Sequence, residues 1–428
     1  MATTKAKNDN LKRFEKDLWE CTKCGYCTFW CPVYQEQPVE SSVARGKNEM
    51  IRDVLAGKTD FNKEYVDRLS KCLLCRTCTE HCPAKAETPP FIVAARADLV
   101  KAKGIHFPYN FVYRSLLPRR QLFGNVVKTA SKFQGIFLPR TEGTIRHLSM
   151  FMSALGEGRQ IPEIASKFLR QQVPEVNKPP AGVATKMRVG YFSGCMTDFV
   201  FPHTGKKVIN VLNKNGVEVV MPFKQGCCGA PVFLGAGDLE TGRKFADTNV
   251  KVFADFDIVI TNCGTCASAL KDYVKLLADT PERVEAYTKF VNKVQDISQF
   301  LVDRLQVPAS SFKAAAAVKG KKVTYHDSCH LNRYLNIHDQ PRQILKSIDG
   351  IEYVEMPMAD WCCGMAGTFS LKYYDLSKKI ADKKMQHIKE SGADIVAAGC
   401  PGCMIQLIDN TVRHKMPQKV MHVMDLIE

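Results

Sequence analysis

The stretch DIVITNCGTC at residues 257–266 returns as DIVAAGCPGC at 394–403. In each copy a run of apolar, partly β-branched residues breaks into a Cys-x2-Cys turn, which predicts a buried strand ending where ligand-bearing side chains begin. The text around the two copies repeats as well. The lone Cys195 and Cys329 close the β-branched runs MRVGYFSGC and KKVTYHDSC. Short strand-like segments follow, VEVVMP and IEYVEMP, and then the pairs Cys227-Cys228 before Gly229 and Cys362-Cys363 before Gly364. Corresponding cysteines are offset by 134 to 137 residues, so the second half of the chain is an internal repeat nearly in register. Strands alternating with helical text predict a parallel α/β layer in each unit. Each cysteine group follows a strand, which places the thiols at the C-terminal edge of the sheet, where such folds keep their sites.

The units thus hold Cys195, Cys227, Cys228, Cys263 and Cys266, and Cys329, Cys362, Cys363, Cys400 and Cys403. Five thiols are one more than a four-iron cubane takes. Two readings stand: all five grip a distorted, opened cluster, or four hold a cubane and one stays free. Zinc fits poorly, because an adjacent Cys pair does not spread easily around one tetrahedral ion. Disulfides need an oxidising compartment.

The other eight cysteines lie near the start. CTKCGYCTFWCP at 21–32 and CLLCRTCTEHCP at 72–83 both carry C-x2-C-x2-C-x3-C-P, the run found in bacterial ferredoxins. In that arrangement three close thiolates hold one cubane and the fourth crosses to the other. The expected sets are therefore Cys21, Cys24, Cys27 with Cys82, and Cys72, Cys75, Cys78 with Cys31. Between the runs, SSVARGKNEMIRDVLAG reads as a helix capped near Ser41 or Ser42 and stopped at Gly57, and PPFIVAARADLVKAKG as another ending at Gly104. The module is expected to be the helical kind of two-cluster ferredoxin.

These motifs carry a resemblance covering nearly the whole chain. The two five-cysteine units resemble the CCG domains of heterodisulfide reductase, and the N-terminal module resembles that enzyme's small ferredoxin-like subunit, fused in front. The same layout occurs in the iron–sulfur subunits of lactate and glycolate oxidases and of anaerobic glycerol-3-phosphate dehydrogenase. GYFSGCMTDF, CCGMAGTF and GADIVAAGCPGC resemble the lactate/glycolate subunits. The resemblance implies two cubane 4Fe-4S clusters, with one or two further 4Fe-4S clusters, non-cubane in form where five thiols bind, in the CCG domains. It implies an oxidoreductase subunit active within a complex, beside an FAD-containing dehydrogenase subunit and, in one variant, a membrane quinone-reacting subunit. Some hydroxyacid-oxidase relatives have lost a cysteine from one unit. Both units here are complete, which keeps a disulfide-reducing or thiol-oxidising role open as the alternative. The expected fold is an α-helical two-cluster ferredoxin module over 1–104, a basic aromatic linker over 105–186, and two tandem α/β CCG domains with parallel sheets over 187–308 and 309–428.

Composition narrows the function further. The chain has 428 residues, 45% of them hydrophobic and 24% charged, proportions that exclude a disordered or fibrous protein. Its formal net charge of +16 counts every thiol as neutral; four clusters of roughly −2 each would leave about +8. No G-x-G-x-x-G follows a strand and no G-x4-G-K-[ST] occurs, so neither flavin, NAD nor ATP is expected on this chain. A zinc-dependent nucleic-acid binder is excluded by ligand spacing, and no nucleic-acid partner is expected. The opening residues lack the apolar core of a signal peptide, which points to a cytoplasmic location, with peripheral contact at the inner face of the membrane as a variant. From Leu99 to Thr141 no acidic residue occurs, while Arg114, Arg119, Arg120, Lys128 and Lys132 alternate with Tyr109, Phe111, Tyr113 and Phe123. That segment reads as a linker packing its aromatics on the ferredoxin module, as a partner surface, or as a membrane contact. His326 and His330 could each hydrogen-bond a cluster sulfur or sit satisfied in a loop, and Trp361 could shield the second Cys pair. Lys224 and Asp198 read as surface or capping residues.

Overall fold

The computed structural model describes residues 9–137, 140–141, 145–147 and 159–428. Among these, helices dominate up to residue 137. Ala44–Leu55 is amphipathic, with Ile51 and Val54 turned into the core. Its start corrects the expected Ser41/Ser42 cap: Glu40–Ser42 forms a separate 3-10 turn, and Val43 precedes the helix without a side-chain cap. The Ser42 carbonyl instead accepts locally from Lys47 Nζ and its hydroxyl from Arg68 Nη1, so the side chain serves a tertiary contact. Thr88–Lys103 begins with Pro89 and Pro90 in its first turn, where a missing N–H costs nothing, and ends at Gly104 in the left-handed region. Twelve consecutive residues of this helix, Thr88 to Leu99, are buried, because other elements pack on every side of it.

Strands β1 (Arg140–Thr141), β2 (Ile145–His147) and β3 (Gln160–Pro162) make a small antiparallel sheet. The first repeat unit is built on β4 (Val176–Asn177), β5 (Met187–Tyr191), β6 (Val217–Val220), β7 (Val259–Thr261) and β8 (Val294–Asp296), in the spatial order β4-β6-β5-β7-β8. All pairs are parallel except the antiparallel edge strand β4. The second unit uses β9 (Lys322–His326), β10 (Glu352–Tyr353), β11 (Ile395–Ala398) and β12 (Lys419–His422), ordered β10-β9-β11-β12 and wholly parallel. Leaving β4 aside, both sheets run second-first-third-fourth. The sequence repeat is therefore a repeat of topology, and in each unit the order reverses beside the strand that leads to the lone cysteine. The fourth strands, VQD and KVMH, were not foreseen.

The linker packs differently from the reading that set its aromatics on the ferredoxin module. Phe123 meets Phe199 of the first unit edge-on, Arg114 pairs with Asp238, and Lys372 of the second unit lies over the Tyr109 ring. Further along, Arg159 donates to the Ser370 carbonyl and the Gln160 N–H donates to Asp409, tying β3 to the second unit. Asp198 is no surface residue: it is fully buried and accepts from Arg120 Nη2 at 2.9 Å and Arg170 Nε at 2.7 Å. Arg120 is thus a structural cation within the linker. Asp198→Ala strands two guanidinium groups, and a loss of about 3–5 kcal/mol is expected in denaturant unfolding. Lys289→Ala, which breaks an exposed helical pair with Glu285, should leave the denaturant midpoint nearly unmoved.

Candidate metal centres

The two N-terminal cysteine runs fold alike because the same positions leave ordinary backbone space. Lys23 and Gly25 in the first run, and Leu74 and Arg76 in the second, all have positive φ. These left-handed residues coil each loop so that successive thiols turn inward instead of alternating outward. Pro32 and the residue after Cys82, Pro83, then end the coils; Pro32 opens the helix Pro32–Glu36 with Cys31 as its N-cap. One cavity is lined by Cys21, Cys24, Cys27 and Cys82, with Cys78 also reaching it. A second is lined by Cys31, Cys72, Cys75 and Cys78. Trp30 and His81 stack at 3.7 Å between ring centroids and clamp the two coils together. Cys24 is the exposed member of the set.

In the repeat units the thiols meet at the strand C-termini. Cys195 lies in the helix Gly194–Phe199 after β5, and Cys329 opens the helix Cys329–Leu335 after β9. Cys263 and Cys400 sit at the N-caps of Gly264–Lys271 and Pro401–Arg413, with Cys266 and Cys403 one turn in. The positive helix ends favour anionic sulfur there. After each Cys pair, Gly229 and Gly364 take φ of +82° and +88°, and their N–H groups point back at Cys227 Sγ and Cys362 Sγ, both at 3.4 Å. A side chain at Gly364 would place its Cβ 2.7 Å from the Ser377 carbonyl oxygen, which is why glycine follows the pair.

The two units' sites are one continuous region. A cavity of about 270 Å³ is lined by cysteines of both units and by Cys72 and Cys75 of the ferredoxin module. Cys263 Sγ and Cys400 Sγ stand 3.9 Å apart across the unit boundary, and Cys75 interacts with Cys362 across the module boundary. The thiols thereby form a series from Cys24 at the surface, through both ferredoxin-type sets, to the second unit and then the first. Around this series, His330 Nδ1 is 2.6 Å from Ser268 Oγ, so it is a satisfied histidine, on the helix Cys329–Leu335 and not in a loop. His326 is buried, with neither ring nitrogen hydrogen-bonded, and its ligand atom lies within 4.8 Å of those of Cys363 and Cys403. Trp361, next to the Cys pair in sequence, is buried and donates its indole N–H to the Ile380 carbonyl. Lys224 is exposed. Arg96, Arg333 and Lys384, all buried beside the thiols, were missed, because each reaches the site through contacts distant in sequence.

Comparison with known proteins agrees with this geometry. The cysteine-rich CCG domain family matches residues 189–271 and 323–408, and a 4Fe-4S dicluster domain family matches 17–86. A probable glycolate oxidase iron–sulfur subunit from Bacillus subtilis is 32% identical over 425 residues, covering 96% of this chain and 94% of that protein. The chain belongs to the glycolate oxidase iron–sulfur subunit family. Lactate utilization protein A from Oceanobacillus iheyensis is 34% identical over 243 residues, 56% of this chain and 96% of that protein. The Geobacillus kaustophilus protein of the same name is 34% identical over 242 residues, again 56% of this chain.

The donor sets suit iron–sulfur clusters. Nine of the eighteen cysteines are buried, and none forms a disulfide. Burial pushes the Cys31 thiol up to about 11 and that of Cys78 well above its ordinary value, so thiolates packed this way call for metal charge in their midst. The chain is an iron–sulfur protein of oxidoreductase type. Among the described residues, no helix is long and apolar enough to cross a membrane.

Proposed function

We propose that this chain is the electron-conducting subunit of a multi-subunit oxidoreductase. Electrons come from an FAD-containing partner that oxidises a 2-hydroxyacid such as lactate or glycolate, and pass to a quinone or another carrier. The single observation that carries this reading is the unbroken series of thiol sets from exposed Cys24 to the Cys263–Cys400 contact. Cys21, Cys24, Cys27 and Cys82 would hold one cubane 4Fe-4S cluster, and Cys72, Cys75, Cys78 and Cys31 another. Cys195, Cys227, Cys228, Cys263 and Cys266, and Cys329, Cys362, Cys363, Cys400 and Cys403, would hold the CCG clusters. Such clusters supply one-electron transfer with little change in shape. The protein's own part is positioning: left-handed loop residues aim the thiols, helix N-termini and glycine N–H groups offset negative charge, and buried side chains exclude water. A second reading, reduction or formation of a disulfide, is favoured by a cavity lined by all five thiols of the first unit and by Cys329, Cys362, Cys363 and Cys403 of the second.

Anaerobic purification with iron and acid-labile sulfide analysis tests the metal assignment. Cys82→Ser is expected to lose about four irons per chain while the set containing Cys31 keeps its signal, since the crossing cysteine belongs to the other run's cluster. Substantial zinc with little iron would refute the proposal. Recovery of a flavoprotein with the tagged chain, and hydroxyacid-to-dye activity in the complex alone, would separate the conducting role from the disulfide one.

A further inference from the structure

The two CCG sites share a topology but differ in what surrounds them. Matching Cys195 to Cys329 sets Phe192 against His326 and Phe199 against Arg333, while matching the Cys pairs sets Asn249 against Lys384. At each position the first unit has an uncharged residue and the second has a nitrogen donor or a cation. His326 is fully buried, both ring nitrogens lack a hydrogen-bond partner, and it lies within 4.8 Å of Cys363 Sγ and Cys403 Sγ. Arg333 donates from Nη1 to Cys329 Sγ at 3.5 Å, its other arm being held by Asp360. Lys384 is fully buried and donates to the carbonyls of Met358 and Ala359, with no carboxylate bonded to it. Asn249, by contrast, is neutral and donates to the Cys227 carbonyl.

Backbone donors do not account for any imbalance, since Gly229 and Gly364 make equal contacts at 3.4 Å. On the first unit's side stand Arg120, which stacks on Phe199 and binds the buried Asp198, and Arg96 of the ferredoxin module, which lines the shared cavity and donates to the Leu234 carbonyl. No hydrogen bond from either reaches a thiol among the described residues. Each N–H aimed at cluster sulfur, and each uncompensated cation nearby, stabilises the more negative, reduced state and so raises the reduction potential.

We propose that the two CCG centres are unequal, and that the second unit's centre holds electrons more tightly than the first because His326, Arg333 and Lys384 surround it. His326 and Arg333 act as positioning residues toward its sulfurs. This rests on the reading that both five-thiol sets hold clusters. The second unit touches the ferredoxin module through Cys75 and Cys362, and the first unit through Cys400 and Cys263. The tighter holder therefore stands in the middle of the series, where electrons arriving from either end collect first.

The test is a potentiometric titration of the anaerobic full chain followed by EPR, with iron and sulfide measured on every sample. Cys195→Ser and Cys329→Ser assign the two CCG signals. The second centre is expected to show at least a tenfold larger reduced-to-oxidised ratio at a common potential, about 59 mV for one electron. His326→Phe should lower the second midpoint and leave the first unmoved. Phe192→His should raise the first alone, which keeps the test informative if His326→Phe loads poorly. Nitrogen-15 histidine labelling should alter the hyperfine structure of the second centre's signal only. Full iron loading with equal midpoints, a higher first midpoint, or midpoints that neither substitution moves would overturn the ordering while leaving the cluster assignment intact. Absence of iron and sulfide would overturn both.

Discussion

Arg96→Leu is expected to loosen the ferredoxin module from the repeat units at a cost of about 3–5 kcal/mol. Arg96 lies in the helix Thr88–Lys103, buried, and spends its guanidinium on backbone carbonyls. Nε and Nη2 donate to the Leu69 carbonyl, Nη2 also to that of Cys72 at 2.8 Å, and Nη1 to that of Leu234 at 2.9 Å. The first two lie in the ferredoxin module and the third in the first unit, so one side chain bolts the two bodies together beside a ligand loop. A leucine fills most of the space but strips the guanidinium from all three carbonyls, of which, among the described residues, only that of Leu69 keeps a further donor, the Cys72 N–H. Burial already disfavours the charged guanidinium, and nearby Cys72 favours it, so bound anionic sulfur strengthens the bolt. The expected readouts are a lower thermal midpoint and slower reduction of the CCG signals by electrons entering at the ferredoxin module, with total iron kept. Arg96→Lys, retaining charge with fewer donors, should fall between. Unchanged melting together with unchanged internal transfer would show that the modules are held by apolar packing alone.

The second large effect is expected where the repeat units interlock. The Gly264 N–H donates to the Gly399 carbonyl at 3.1 Å, joining the two Cys-x2-Cys turns directly. Leu331, fully buried, is wedged between them. A Cβ on Gly264 would stand 2.7 Å from Leu331 Cγ, and one on Gly399 2.6 Å from Leu331 Cδ1. Gly264→Ala must therefore shift Leu331 and with it the helix that begins at Cys329. Overpacking of this kind costs about 1–3 kcal/mol. A substitution in the first unit is thus expected to perturb the EPR signals of both. Adding Leu331→Ala should restore much of the stability, a non-additive pair that a double-mutant cycle would register. If the second unit's signal stayed unchanged in Gly264→Ala, the interlock would be refuted.

What could be read from the residues beforehand was local and periodic. The strands leading to Cys195, Cys329, Cys263 and Cys400 are apolar runs bounded by turns, and β5, β7, β9 and β11 stand where those runs fall. The strands β8 and β12 carry only VQD and KVMH, and acquire strand form from pairing beside β7 and β11, so no local pattern announces them. Asp198 was misread for a related reason. A lone acid after a helical turn resembles a cap, and its two arginine partners lie 28 and 78 residues away. Arg96 meets Leu234 at a separation of 138 residues, a relation that spacing does not encode. His326 stood out in the sequence two residues before Ser328, but that it faces the Cys363 and Cys403 thiols became visible only once strand and Cys pair were folded together.

The closeness of Cys263 and Cys400 bears on how charge is counted along the chain. If both sets hold one-electron clusters as proposed, two such places set sulfur against sulfur would behave as one store with room for a pair. A donor that must give up two electrons at once can discharge into that store in a single visit, and an acceptor that takes one at a time can draw it down in two. On that proposal the duplicated unit would work as a gearbox between pairwise chemistry on one side and single-file traffic on the other.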